Sequence, residues 1–548
     1  MNKLFQYLIA SYFFTLLLTS CSYNANMSYK IAQAVHKQPN NADLQEAAII
    51  GDKELMQHLL AKGCDPTIKD KFGATPLHYA AQHGHTKIIE LLLENGHGLN
   101  PNIADQDGLT PLHYAAQYGH AEATTSLLAH HANPNIADQD GNMPLHLAAE
   151  KGDIQSVSAL LRQKAIVNIP NELGDTPLHL ATENDHLETV ALLLTQPYLA
   201  DPTLANVEDG YTPLHIAAKY GHKEILELFL SQLLPLNQID INALDTQYGT
   251  TPLHLATQNG QQEVVKYLLQ NGADPTITDN DRISPLHLGA QNGNLGIVEL
   301  LLASVEKLTS DKKAYIDRLN EDHNTALHLA ALQAHIPVIE LLLQNGADID
   351  IVDSAGYTAL GLAIRYNRVE VIDLLLKNGA DLKKIEHIPY IQPLHQAASL
   401  RNVALIKSFL ENGANVNMQD QQGCSFLHII AAKKDFDMLS KAIQIIHSQH
   451  ENLLNTLQTS NLDINLRDIL PLIADYTYNI DWNLKNHQGE SILNILEMHK
   501  EQGSQEAEVV YQTIKAQKMP SGRKRKIELI EPGTAHAQNL SLKKPRNS

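Results

Sequence analysis

The chain has 548 residues, a formal net charge of −20 and three cysteines, with 43% apolar residues but only 5% aromatic ones. That length exceeds what one hydrophobic core accommodates, so it points to several domains or a repeated array. The negative balance argues against nucleic-acid binding by the main body, and scarce aromatics leave the packing to leucine and alanine, which favour helices.

In chain order, Met1-Asn2-Lys3 gives a basic start, residues 4–18 (LFQYLIASYFFTLLL) are largely apolar, and Leu18-Thr19-Ser20-Cys21 follows, with no acidic residue before Asp43. This is the layout of an export signal over residues 1–20, and the run is shorter than the ~20 residues needed to span a bilayer. Leu-Thr-Ser-Cys resembles the bacterial lipoprotein box, which implies acylation of Cys21 and a lipid-anchored chain at the cell envelope. An ordinary signal peptide or an uncleaved anchor is the alternative. Residues 21–42 would then be a polar tether. The other cysteines, Cys64 and Cys424, are far apart in the chain. In an extended array their Cα atoms cannot come within the ~7 Å that a disulfide requires, so neither a disulfide framework nor a zinc cluster is expected.

Self-similarity begins at Thr75-Pro76-Leu77-His78 and returns at residues 110, 143, 176, 212, 251 and 284, then in weaker form at 325, 358, 392 and 425, with Ser491-Ile492-Leu493-Asn494 two periods further on. Most spacings are 33 to 36 residues, the longer ones being 39 and 41. With a divergent opening unit from Asp43, thirteen units result. Thr or Ser stands first in the motif, where a hydroxyl can cap a helix start. Pro follows it, at a position where its missing N–H is harmless. Gly lies two residues ahead of the motif in nine copies, as a turn with positive φ requires. A short helix such as PLHYAAQHG should follow, then a leucine-rich one such as TKIIELLLENG, closed by Gly96, Gly272, Gly346, Gly379 or Gly413. Arg282, His323 and Tyr390 replace the turn Gly, while Gly361 and Asn494 replace the motif His. Extra residues fall near 195–207, 231–248 and 303–320, where the second helix meets the next hairpin. Residues 432–480 form a long insertion, either a small helical excursion or one degraded repeat. The degraded repeat is the preferred reading, because the period resumes in register. Residues 481–515 read as a polar capping repeat.

The strings DQDGLTPLHYAAQYGH (105–120) and VIELLLQNGAD (338–348) resemble the ankyrin repeat, and the resemblance covers about residues 43–515. It implies an all-α solenoid of stacked helix-turn-helix units with hairpin loops projecting to one side, each unit burying its apolar face against its neighbours. It also implies a protein-binding role through the hairpin tips and the exposed ends of the first helices. The residue that varies there is His83, Tyr118, Lys151, Asn184, Tyr220, Asn259, Asn292, Gln333 or Tyr366. Tyr118, Tyr220 and Tyr366 are the leading anchor candidates, because tyrosine offers area and a hydroxyl at low entropic cost. His83 and Lys151 are the further candidates. Acidic tips at 105–108 and 138–141 suit a protein partner with a basic patch.

Ten of the 28 histidines belong to the motif, where the resemblance implies a structural bond to the neighbouring Thr and the loop backbone. Their spacing, one per stacked unit, keeps them from sharing a metal ion. No phosphate-cradling Gly-rich loop or Gly-x-Ser-x-Gly elbow occurs. The expectation is therefore a non-enzymatic binding scaffold without cofactor or metal. Residues 516–548 should be a disordered tail, and Arg523, Lys524, Arg525 and Lys526 resemble a nuclear-localisation signal. The alternative function is thus a bacterial effector delivered into a host cell and carried to its nucleus.

Overall fold

A helix start leaves backbone N–H groups without partners, and the four residues Thr-Pro-Leu-His meet that need. Thr75 is extended (φ −102°, ψ 168°) and Pro76 opens the helix Pro76–Gln82. The Thr75 backbone N–H donates to His78 Nδ1 at 3.0 Å, and Thr75 Oγ1 lies 2.9 Å from the same nitrogen. A backbone N–H can only donate, so Nδ1 is the bare nitrogen and Nε2 carries the hydrogen. Nε2 then donates to Leu109 O of the next repeat at 3.2 Å. The same bridge runs from His113 to Asn142 O (3.1 Å), from His179 to Tyr211 O (3.1 Å) and from His254 to Ile283 O (3.1 Å).

The computed structural model describes residues 41–94, 99–308, 311–385, 388, 391–459, 481 and 484–517. The expected export signal, Cys21, Tyr390 and the basic residues Arg523, Lys524, Arg525 and Lys526 lie outside the described residues. Among the described residues there are thirteen helix pairs, one further short helix (Lys312–Ile316), two 3₁₀ turns and one isolated β-bridge between Lys485 and Ser491. This is an all-α repeat solenoid. The chain divides into two compact units, Met1–Leu362 and Ala363–Ser548.

In the first unit the opening pair is Asn41–Ile50 and Lys53–Ala61, followed by Pro76–Gln82 with Thr86–Glu94, Pro111–Gln117 with Ala121–Ala129, and so on. Leu77, Leu112, Leu145, Leu178 and Leu214 of the motif join second-helix residues such as Ile88, Val157 and Leu193 in one apolar core that runs from Leu44 to Leu301. Each such leucine contributes roughly 1.5–3 kcal/mol when fully buried. Because every repeat shares its core only with its neighbours, stability is approximately a sum of repeat and interface terms. The extra residues are absorbed between repeats. They form the 3₁₀ turn Leu234–Leu236, a lengthened second helix Leu295–Leu308 and the added helix Lys312–Ile316.

The hairpins are held by a side chain at their base. Asp105 Oδ1 accepts from the backbone N–H of Asp107 at 3.0 Å and of Leu109 at 2.9 Å, and Asp138 Oδ1 does the same for Asp140 and Asn142. Successive tips are tied by backbone bonds: Gln106 N to Phe72 O (2.9 Å), Gln139 N to Asp107 O (3.0 Å) and Glu172 N to Asp140 O (3.0 Å). The turn Gly is required for close approach as well as for its backbone angle. At Gly174 (φ 85°) an added Cβ would sit 2.2 Å from Val207 N. Arg282 and His323 nonetheless take the same left-handed conformation, with φ of 57° and 59°.

In the second unit, Pro393–Ser399 with Val403–Glu411 precedes Phe426–Ala432 with Phe436–Thr459, and the last pair is Ile492–Glu501 with Gln505–Gln517. His428 Nε2 donates to Leu484 O at 3.2 Å, and His487 N donates to Gln422 O at 2.8 Å. These are the bonds that adjacent repeats make elsewhere. The repeat at Ser491 therefore stacks on the repeat at Ser425. Within the described residues the insertion lengthens the second helix to the 24 residues Phe436–Thr459, and residues 460–480 lie outside them.

Two predictions follow from the bridges and the turns. Burial holds the imidazoles of His78, His113, His146, His179, His254 and His287 down at pKa about 4, against about 6.5 in an unfolded chain. The folded state thus favours the neutral ring. The stabilisation is complete above about pH 6.5 and is lost as the pH falls toward about 4. Asp175, pushed up to about 6 by burial, acts in the opposite direction, as do Asp138, Glu150 and Asp279, but His215, His328, His395 and His428 are lowered by burial as well, so the histidines outnumber them. The unfolding free energy should fall over that window by about 1.4 kcal/mol per pH unit for each proton taken up on unfolding, seen as a falling urea midpoint by far-UV circular dichroism. A midpoint that stays constant would contradict the neutral bridge. Secondly, Ala334 ends the helix Ala326–Gln333 with φ 65° and ψ 38°. Ala334→Gly should raise stability by about 1 kcal/mol, because the β-carbon is strained there. A lower urea midpoint would refute this.

Candidate protein-binding surface

The first helices end in a row of side chains set by a local turn. Gly84 and Gly119, both at φ 72°, reverse the chain after the helix, and the next residue is a histidine that reaches back to the preceding repeat. His85 Nε2 lies 3.0 Å from Ile49 O, His120 Nε2 2.9 Å from Gln82 O, His186 Nε2 2.9 Å from Glu150 O, and His335 Nε2 3.0 Å from Gln291 O. Glycine makes room for this contact, since a Cβ on Gly152 would lie 2.4 Å from His186 Nδ1. This second histidine row escapes a reading centred on Pro-Leu-His. Its signal is the histidine that follows the left-handed turn residue one helix later, a glycine before His85, His120 and His222, Asp185 before His186 and Ala334 before His335.

The candidate residues sit directly against this row. His83 stacks on His85 (centroids 6.0 Å apart, 24° between planes), Tyr118 on His120 (6.5 Å, 13°) and Tyr220 on His222 (5.9 Å, 19°). Gln82 Nε2 donates to the Tyr118 hydroxyl at 3.2 Å, and the Tyr220 hydroxyl donates to Glu183 Oε1 at 2.9 Å. Both tyrosines remain exposed, at 46% and 44%. They are therefore rings held in place yet open to solvent, which lowers the entropy loss when a partner covers them. Burial lowers the pKa of His83, reinforced by His85 and His120. Lys151 is exposed, and its aliphatic stem passes Gly119, where a Cβ would lie 3.4 Å from Cγ and Cε. Tyr366 is likewise exposed and carries Arg365 5.8 Å above its ring, but it belongs to the second unit. Tyr118 and Tyr220 stand several repeats apart, so these candidates form a row and not one pocket.

Electrostatics along the row are uneven. Asp175 is buried beside Asn206, whose Nδ2 donates to Asp175 Oδ1 at 3.0 Å. Burial, then Glu183, Glu208 and Asp209, push Asp175 up to about 6. Burial and Glu183 also raise Glu150. Lys219 lies 3.7 Å from Asp209 and sits over the rings of Tyr211 (5.0 Å) and Tyr220 (5.4 Å). Burial pushes the Tyr220 hydroxyl up to about 12, with Glu183 adding to it. Of the acidic hairpins singled out by sequence, Asp105 and Asp138 are occupied by their own backbone N–H groups, so Asp107 and Asp140 are what those tips offer a partner.

Every motif histidine except His395 has both ring nitrogens in scaffold bonds, which leaves no lone pair for a metal ion. Among the described residues, no group of three His, Cys, Asp or Glu is placed to hold one. Cys64 is buried, and burial raises its thiol pKa. No described helix is long and apolar enough to cross a membrane.

Comparison with known proteins agrees with this geometry. A family model for ankyrin repeats in three copies matches residues 44–138, 122–206, 195–279, 232–314 and 286–386, and one for ankyrin repeats in many copies matches residues 394–443. The chain is similar to ankyrin repeat domain-containing protein 39 of Homo sapiens, at 35% identity over 66 residues, which is 12% of this chain and 36% of that protein. It is similar to the ankyrin repeat protein nuc-2 of Neurospora crassa, at 42% identity over 50 residues, or 9% of this chain and 5% of that one. A putative ankyrin repeat protein of fowlpox virus is 36% identical over 64 residues, or 12% of this chain and 32% of that one. The matched segments thus span well under two thirds of each relative's own length.

Proposed function

The chain belongs to the ankyrin-repeat family, and we propose from that premise that it is a non-enzymatic scaffold binding a protein partner through its first-helix ends and hairpin tips. The observation that carries this reading is the division of labour within each repeat. The recurring histidines are tied into the stack, while the residues that differ from repeat to repeat, Tyr118, Lys151 and Tyr220 among them, stand exposed at one structural position. Such a row offers many weak contacts and a few aromatic anchors, as protein interfaces do.

The scaffold acts at the cell envelope of a bacterium, exported by residues 1–20 and held by a lipid on Cys21. The support is the basic start, the apolar run and the Leu-Thr-Ser-Cys sequence. A second reading, favoured by the basic run Arg523, Lys524, Arg525 and Lys526, is an effector translocated into a host cell and its nucleus.

Two measurements test these readings. A photo-crosslinking residue placed at Tyr118 or Tyr220 in the native cell should yield a protein adduct, whereas one at Glu122, on a second helix, should not. Equal yields from all three positions, or adducts from none, would sink the scaffold assignment. Intact-mass analysis of the protein from its membrane fraction should show loss of residues 1–20 and acyl chains on Cys21. A soluble product with unmodified Cys21 would refute the anchor and favour the effector reading.

A further inference from the structure

Three consecutive hairpins each carry an exposed apolar side chain. The residue directly before the turn position is Asp107 and Asp140 in two repeats, Leu173 in the next, Asp209 and Tyr248 in the two after it, then Asp281 and Asp322, and the hairpin that ends in Asp209 is one residue longer and presents Val207 two residues earlier. The three apolar tips are neighbours in space. Val207 N donates to Leu173 O at 2.9 Å, and Gln247 Nε2, from the residue before Tyr248, reaches Val207 O at 3.4 Å. All three side chains are exposed, at 51%, 73% and 56%. They are not needed for the turn, because neighbouring hairpins close with aspartate where Leu173 and Tyr248 stand and with polar residues such as Gln139 and Glu172 where Val207 stands. Exposed side chains of this size standing together mark an interaction surface more often than chance.

Charge identifies what would cover them. Glu208 and Asp209 follow Val207 in the same tip, Glu172 precedes Leu173, and Glu183 lies at the end of the first helix behind the Leu173 hairpin. Their proximity is registered by Asp175, whose pKa is raised by Glu183, Glu208 and Asp209 after burial itself. Lys219 lies against Asp209 and offsets it, yet Glu172, Glu183 and Glu208 leave the surface negative. An acidic or uncharged apolar partner would leave these carboxylates repelled or desolvated, whereas a cationic one is drawn in.

We propose that Leu173, Val207 and Tyr248, with Glu183, Glu208 and Asp209 beside them, form a docking surface for a basic segment of a partner protein that interleaves arginine or lysine with apolar side chains. The proposal rests on the scaffold reading and assigns it one place and one partner chemistry. The apolar side chains cover the tips, and the cations meet the carboxylates between and behind them. The Lys219–Asp209 contact gives way to a partner cation or remains at the rim.

The test uses the full chain and a fluorescent synthetic peptide that alternates arginine and leucine in a serine background. Two matched peptides replace every leucine by serine or every arginine by glutamate. The arginine–leucine peptide should bind in fluorescence anisotropy, and both matched peptides should bind at least about tenfold more weakly. Val207→Ser with Tyr248→Ser, and separately Glu183→Gln with Glu208→Gln, should each weaken it by about tenfold, which is about 1.4 kcal/mol. Circular dichroism should show both double variants folded. Glu122→Gln with Glu263→Gln, both exposed on second helices, should leave binding unchanged. No binding, or equal loss in the Glu122/Glu263 variant, would overturn the assignment. If that happens while Tyr118 or Tyr220 still crosslinks a protein in cells, only this patch and its partner chemistry fall; absence of crosslinks as well would remove the scaffold reading itself.

Discussion

The imidazole of Pro-Leu-His touches two repeats at once. On one side Nδ1 accepts from the backbone N–H three residues earlier, as in Thr110 and His113 at 2.9 Å. On the other, Nε2–H donates to a carbonyl of the following hairpin, as in His113 and Asn142 at 3.1 Å. The ring can do both only while neutral, and burial keeps it so. One side chain thereby caps a helix, fixes a tautomer and sets the distance to the next unit. The apolar core follows from that spacing, because Leu112 and Ala116 meet their neighbours only when the hairpins are in register.

Departures from the pattern show which half of the bridge each residue serves. In the repeat at Ser491, Asn494 Oδ1 accepts from the Ser491 backbone N–H at 3.0 Å, which reproduces the capping half alone. In the repeat at Gln392 the opposite occurs. His395 Nε2 still lies 2.7 Å from Cys424 O, but with the hydroxyl residue gone its Nδ1 has no hydrogen-bond partner. Where Gly361 takes the place of the histidine, the Thr358 hydroxyl accepts from the Gly361 N–H directly, at 3.2 Å. The stack tolerates these losses because each interface is stabilised mainly by shared apolar burial and only secondarily by any single bond.

A scaffold that uses its most regular residues for itself leaves recognition to the irregular ones. Tyr118 and Tyr220 are visible in the sequence as variable positions next to Gly-His, and the pattern places them correctly at the helix ends. What the pattern omits is that each ring lies on a histidine that is itself tied to the preceding repeat. Likewise the aspartates of DQDG read as surface charge, yet Asp105 and Asp138 belong to the turn. The run Leu173, Val207, Tyr248 has no sequence motif at all, and becomes a feature only when three hairpin tips are set side by side.

Periodicity by itself determined the helix pairs and the family, because capping, proline placement and turn glycines act within a few residues and repeat too often to be accidental. Composition determined that the chain is acidic and packed with small aliphatic side chains. Only the tertiary structure decided that the repeat at Ser491 stacks on the one at Ser425, since stacking is read from bonds such as His428 to Leu484 and not from counting residues. It also decided that Arg282 and His323 adopt a backbone angle usually left to glycine, because the hairpin is held by its neighbours on both sides. Which carboxylates face solvent and which cap backbone was settled in the same way: the choice depends on where the next repeat lies, and a local sequence does not contain its neighbour.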